Sequence, residues 1–249
     1  MGVFLFLTID QGTTSSRSLL FDEKFNVIDV FQKKFKQIYS NESWVEHNPD
    51  EILETVVSCC EKVLKGKHSK KILSIGITNQ RETIVAWDKK TGKPFYNAIV
   101  WQDKRTSKLC ENLKKDGLEE IINKKTGLLL DPYFSATKIA WILDNIDGLR
   151  KKAENGEVCV GTIDTWLIWK LTKGKTFATD VTNASRTSLF NIKKMQWDVD
   201  LLKIFNIPAI CLPDVRACDD YYGNTEILSS SIKITGVIGD QQSSAIGQF

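Results

Sequence analysis

The sequence predicts an α/β fold, a mixed sheet flanked by helices. Three observations predict it. Continuous apolar runs of strand length alternate with longer segments of helical period. The first three runs follow one another as a meander before any helix begins. Polar clusters recur where strands end, at Asp10–Arg17, Thr78–Glu82, Trp101–Arg105 and Gly239–Gln242. Sites in open α/β sheets gather at the carboxyl ends of strands.

The elements follow in order. Val3–Ile9 reads as a buried strand, Arg17–Phe21 as its hairpin partner, and Val27–Phe31 as a third strand after an Asp22–Asn26 turn. Asn48-Pro49-Asp50 opens a helix with Ile52, Leu53, Val56, Val57, Cys60, Val63 and Leu64 on one stripe, closed by Gly66. Ile72–Ile77 is a second continuous apolar strand. Thr83–Trp87 and Ala98–Trp101 are further strands around a Lys89–Lys93 turn. Asp103–Lys115, Leu118–Lys125 and Ser135–Ile146 have helical spacing. Val158–Val160 is a short strand, and Gly161-Thr162 opens a helix over Ile163–Leu171. A short helix, Val199–Phe205, precedes Pro208. The last strand, Ile234–Ile238, runs into Gly239-Asp240-Gln241-Gln242.

Composition excludes several classes of function. Net charge is +3, and only six of the 34 basic residues are Arg. Lys33-Lys34, Lys70-Lys71 and Lys151-Lys152 read as solvated clusters rather than a nucleic-acid groove. Six scattered cysteines without a CxxC, and two histidines, do not suit a zinc site; reduced thiols in a cytoplasmic protein are expected. The apolar start lacks a basic n-region and meets Asp10 too early for a signal sequence. No apolar run approaches the 18 or so residues of a membrane span.

Asp10-Gln11-Gly12-Thr13-Thr14-Ser15-Ser16-Arg17 is a carboxylate, a Gly and four hydroxyl residues at the mouth of a buried strand. Such a turn offers phosphate oxygens a row of N–H and O–H donors, and its carboxylate suits Mg²⁺. An ordinary polar hairpin is the plainer alternative. A Walker phosphate loop is absent. Arg81-Glu82 is either a surface ion pair or a donor fork and an acceptor aimed at vicinal hydroxyls. Trp101 and Tyr133 are either rim packing or a wall against a polyol's carbons. Asp240 either caps a helix or accepts the proton of an attacking hydroxyl. Asp164 and Asp180 read as caps or turn residues, and Trp141, Trp166 and Trp169 as core.

Together these segments resemble the carbohydrate-kinase family of sugar and polyol kinases, its glycerol-phosphorylating members in particular. The Asp10–Arg17 segment is similar to that family's first phosphate loop. Tyr133-Phe134-Ser135-Ala136-Thr137-Lys138-Ile139-Ala140-Trp141-Ile142-Leu143-Asp144-Asn145 resembles its first signature. Asn79–Thr83, Trp101–Arg105 and Gly239–Gln242 are similar to its glycerol-binding segments.

The resemblance implies a ribonuclease H-like (actin-like ATPase) domain and ATP-dependent phosphorylation of glycerol to sn-glycerol 3-phosphate. Another polyol or sugar substrate, or a non-catalytic nucleotide-dependent scaffold of the same fold, is the alternative. It implies that Asp10 works with Mg²⁺, and that Thr13, Thr14, Ser15 and Arg17 contact ATP's phosphates. It also implies that Arg81, Glu82, Asp240 and Gln241 hold glycerol's hydroxyls, Trp101 and Tyr133 line its carbon face, and Asp240 is the base. Residues 1–249 are expected to be the N-terminal polyol-binding and phosphate-loop domain of a longer kinase, inactive alone and a homodimer or homotetramer when whole. The second phosphate loop and the adenosine pocket are expected in a C-terminal domain.

Overall fold

The computed structural model describes residues 4–66, 72–229 and 231–248. Val3, the Lys70-Lys71 cluster and the end of the chain lie outside them. The main sheet begins with three antiparallel strands: β1 (Leu5–Gln11), β2 (Ser15–Asp22) and β3 (Val27–Lys34). Leu5, Leu7 and Ile9 of β1 face the core, as period-2 alternation requires. β1 and β2 run longer toward their shared turn than the apolar runs alone indicate. Asp10 and Gln11 stay in the ladder opposite Arg17 and Ser16, which leaves only residues 12–14 to turn the chain.

After a two-residue strand, β4 (Glu46–His47), comes α1 (Pro49–Leu64). Asn48 caps it, its side-chain oxygen accepting from Asp50 N–H at 2.9 Å, with Pro49 in the first turn. The expected stripe is buried at Ile52, Val56, Cys60, Val63 and Leu64. β5 (Ile72–Asn79) pairs parallel to β1, as the crossover through α1 dictates.

A second sheet is built from β6 (Ile84–Asp88), β7 (Ala98–Ile99), β4 and, later, β8 (Val158–Thr162), in the order β4-β7-β6-β8 and antiparallel throughout. Four helices lie between β7 and β8: α2 (Ser107–Lys115), α3 (Glu119–Thr126), α4 (Ser135–Asn145) and α5 (Leu149–Glu154). The helix expected from Asp103 starts only at Ser107. The Asp103 carboxylate is committed to Arg105 and to Val45 N–H, which holds residues 101–106 in a turn.

α6 (Ile163–Leu171), β9 (Ala178–Asp180), α7 (Val181–Ala184), β10 (Phe190–Asn191), β11 (Gln196–Trp197), α8 (Val199–Ile204) and β12 (Asp214–Arg216) complete the middle of the chain. Most of these are too short to show a period. Asp180 caps α7, as expected. Asp164 caps nothing. It lies inside α6's first turn, where it accepts from the Thr162 and Thr179 hydroxyls. Burial, and then the neighbouring Asp180 charge, push its carboxyl pKa up.

The last strand, β13 (Ile234–Gly239), returns to the main sheet and pairs parallel to β5, giving the order β13-β5-β1-β2-β3. α9 (Asp240–Ile246) follows without a break. This is the mixed sheet with flanking helices of the ribonuclease H-like, actin-like ATPase class.

Two apolar cores form. One lies between the main sheet, α1 and α6; the other lies among α4, α5, α8 and the second sheet. β6 serves both, with Val85 and Trp87 in the first and Ile84 and Ala86 in the second. Trp166 is fully buried, whereas Trp141 and Trp169 pack at the core margins. All six cysteines are free thiols. β3 is an outer strand whose Val27, Ile28 and Val30 are exposed.

Candidate functional site

β1, β5 and β13 are parallel neighbours, so their carboxyl ends lie side by side. That brings Asp10, Arg81-Glu82 and Asp240 to one edge of the sheet, although 230 positions separate the first from the last.

Asp10 and Arg17 face each other across the hairpin, and Arg17 Nη2 lies 2.5 Å from Asp10 Oδ2. The two groups expected to meet Mg²⁺ and phosphate therefore neutralise each other here. Thr13 and Thr14 lie in the tight turn, and Ser15 opens β2, its hydroxyl accepting from Gln32 Nε2 at 2.7 Å. The Thr13 hydroxyl accepts from Trp101 Nε1 at 3.0 Å. Buried Gln80 ties the same turn to β5, its Nε2 donating to Gln11 Oε1 at 3.1 Å and to the Gly12 carbonyl at 3.3 Å.

Arg81 and Glu82 do not pair with each other. Arg81 Nε donates to Asp240 Oδ1 at 3.0 Å, and Nη1 to Gln242 Oε1 at 3.2 Å. The Arg81 side chain is 10% exposed and that of Asp240 41%, so the carboxylate is the open end of the pair. Gln241 donates its backbone N–H to Asp240 Oδ1 at 2.7 Å while its residue stays exposed; the glutamine on Arg81 is Gln242. Gly239 is required by close approach. A Cβ there would lie 2.5 Å from Arg81 Cδ and 2.8 Å from Cγ.

Glu82 is buried and paired with Arg186 Nε at 2.7 Å. Burial pushes its carboxyl pKa up, and the Arg186 hydrogen bond pulls it back. Its backbone has φ +60°, and Thr83 N–H closes on the Arg81 carbonyl at 2.7 Å, making a strained γ-turn.

Trp101 and Tyr133 meet with ring centroids 5.4 Å apart, and the Arg186 guanidinium lies over Tyr133 at 5.9 Å. The two aromatics also border a cleft of about 520 Å³ that Gln102, Lys104 and Asp131 help line. None of Arg81, Glu82 or Asp240 lines that cleft. The convergent charged groups, rather than the larger space, mark the candidate site.

Lys138 is fully buried and donates to the carbonyls of Pro132, Tyr133 and Phe134, each at 2.7 Å. It thereby holds the loop that carries Tyr133. Burial pushes its pKa down to about 7, but three acceptors favour the ammonium, since an amine has only two N–H to give.

Sequence reasoning missed Arg186 and the segment 181–186, and within Gly239–Gln242 it gave the role to Gln241 rather than Gln242. Thr182-Asn183-Ala184-Ser185-Arg186 is another polar cluster after a strand, the signal used elsewhere. The strand before it, β9, has three residues and does not announce itself.

Comparison with known proteins places the chain among carbohydrate kinases. A model of the FGGY family of carbohydrate kinases, N-terminal domain, matches residues 5–247. A glycerol kinase of Petrotoga mobilis is 55% identical over 246 residues, covering 97% of this chain and 49% of the relative. One of Borrelia duttonii is 53% identical over 246 residues, covering 97% and 50%. The crystal structure of Plasmodium falciparum glycerol kinase with ADP superposes with a TM-score of 0.93 at 40% identity, covering 99% of this chain and 50% of that one. A ligand-bound xylulose kinase from Lactobacillus acidophilus shares the fold, with a TM-score of 0.88 at 22% identity over 98% of this chain and 49% of that one. The chain spans about half the length of the curated relatives it matches. It belongs to the FGGY family of carbohydrate kinases.

Proposed function

We propose that residues 1–249 are the N-terminal, polyol-binding and phosphate-loop domain of an ATP-dependent glycerol kinase. The reaction moves ATP's γ-phosphoryl group to a terminal hydroxyl, giving sn-glycerol 3-phosphate. The observation that carries the reading is the Arg81–Asp240 pair at 3.0 Å, which joins two strand ends 159 residues apart in the chain. In such a pair the guanidinium can hold one hydroxyl while the half-open carboxylate takes the proton of its neighbour. Glycerol kinases that are 53–56% identical over nearly the whole chain favour this substrate over larger sugars.

Asp240 accepts the proton as the hydroxyl oxygen attacks phosphorus, a role worth about 10²–10⁴ in rate. Arg81, Glu82 and Gln241 orient the hydroxyls, and Trp101 and Tyr133 cover the carbon face. Thr13, Thr14, Ser15 and Arg17 receive phosphate oxygens once Arg17 exchanges Asp10 for its new partner.

Asp10 is the residue that would hold Mg²⁺. It sits beside Thr78 in the β1–β5 register, and the buried Thr78 hydroxyl is without a hydrogen-bond partner among the described residues. One carboxylate and a spare hydroxyl suit an ion that keeps most of its waters and binds through substrate phosphates. Such an ion would offset phosphate charge. The adenosine pocket belongs to the C-terminal domain of the whole kinase, a cytoplasmic homo-oligomer. No described helix is long and apolar enough to cross a membrane.

The test is a panel of glycerol, dihydroxyacetone, xylulose and gluconate with ATP on the full-length enzyme. Glycerol should give the highest kcat/KM, and Asp240→Asn should lower turnover by at least about a hundredfold while ATP still binds. Preference for another substrate overturns the glycerol reading, and near-normal turnover of Asp240→Asn overturns the base.

A further inference from the structure

Asp240 is the first residue of α9, so its position is set by the peptide before it. β13 ends there with Gly239 in register with Asn79, and the Gly239 N–H donates to the Thr182 hydroxyl at 2.8 Å. That hydroxyl is itself held. Its proton goes to Asp180 Oδ2 at 2.5 Å, and the Thr182 backbone N–H reaches the same oxygen at 2.7 Å. With its proton committed to Asp180, the oxygen presents a lone pair to Gly239 alone.

The anchor is firm. Asp180 is fully buried, and its other oxygen accepts from Asn183 N–H at 3.1 Å and Asn183 Nδ2 at 2.7 Å. The same short segment grips the opposite strand as well. Asn183 and Asn79 exchange side-chain hydrogen bonds at 3.0 Å each, at the end of β5, and Arg186 holds Glu82. Residues 180–186 therefore touch both strand ends whose side chains meet in the Arg81–Asp240 pair, without contributing to that pair.

We infer that Thr182 is a positioning residue for Asp240: anchored on Asp180, its hydroxyl fixes the Gly239 peptide and so aims the carboxylate at the substrate hydroxyl. The inference rests on the kinase reading above. A part-buried N–H deprived of its acceptor seeks water. The strand end then turns, and a misplacement of about 1 Å at a reacting group can cost about a hundredfold in rate.

The test compares Thr182→Val, which keeps shape and loses the hydroxyl, with Thr182→Ser, which restores it, in the full-length enzyme. Thr182→Val should lower kcat with glycerol about tenfold or more, leaving the KM for ATP unchanged, and Thr182→Ser should stay within about twofold of wild type. Hydrogen exchange of the Gly239 amide is read alongside. It should be protected in wild type and in Thr182→Ser, and fast in folded Thr182→Val. A Val variant with normal kcat, or a Ser variant as slow as the Val variant, overturns the inference. Should Thr182→Val not fold, Thr182→Ser still decides: an unprotected Gly239 amide or a tenfold loss in kcat refutes the hydroxyl relay. A wild-type enzyme that ignores glycerol sinks the kinase reading instead, and the amide exchange of the two variants then judges the relay by itself.

Discussion

At the scale of single residues, Glu82 carries a local backbone cost. A non-glycine residue at φ +60° inside a γ-turn costs on the order of 1–3 kcal/mol. The surroundings impose it. Ser135 donates to its carbonyl at 3.1 Å, and Arg186 fixes its carboxylate. Removing the side chain leaves the backbone demand in place. Glu82→Gly should therefore be about 1 kcal/mol more stable than Glu82→Ala, read as the difference in urea midpoints. Equal stabilities would mean that the turn relaxes once the carboxylate is gone. Arg81-Glu82 was legible in the sequence as adjacent opposite charges ending a strand. Their turning away from each other was not. Their partners lie 159 and 104 residues along the chain, where no local pattern points.

At the scale of elements, the junction of β13 and α9 is where a strand end becomes a site. Gly239 has φ −61°, open to any residue, so its need is one of space. Arg81 crosses where a Cβ would stand. Gly239→Ala should fold with near-normal stability and raise the KM for glycerol about tenfold by pushing Arg81 off Asp240. Steady-state kinetics on the full-length enzyme with a parallel melt checks both halves, and an unchanged KM would mean that Arg81 has another path. Long elements such as α1, α4, β1 and β5 could be read from period and capping, because each buries a full face. β9, β10, β11 and β12 could not, since two or three residues have no period to show. Asp103 misled for a specific reason. An acidic residue before a helical run reads as a helix start, but here it is the buried partner of Arg105, at 2.8 Å.

At the scale of the molecule, the two cores share one wall. β6 sends alternate side chains into each, so neither core is complete without the second sheet. Unfolding of residues 1–249 should then be a single transition. Tryptophan fluorescence, weighted by Trp87 and Trp166 in the first core, should coincide with far-UV circular dichroism across a urea titration. Two separated midpoints would show that the helical layer of α4, α5 and α8 melts independently. The fold class was legible from alternating runs, and the site from polar clusters at strand ends. The sheet order was not. β13 comes last in the chain and sits beside β5, a long-range pairing that only the folded core selects.

That order also gives the sheet two unlike margins. Asp240 follows β13 at one side, and β3 bounds the other with Val27, Ile28 and Val30 turned outward. An outer strand with apolar side chains and free backbone groups can recruit a further strand, and Lys33 and Lys34 at its end discourage this. Four inter-strand steps of about 4.8 Å put this margin roughly 19 Å from the β13 end that carries Asp240. A neighbour along β3 would leave the Asp240 end clear but would adjoin the Asp10–Arg17 turn, because Ser15 pairs with Lys34 and accepts from Gln32 of β3. Solubility is then to be tuned at the Val27 end of β3, which pairs with Phe21, and not at the Lys34 end, which pairs with Ser15.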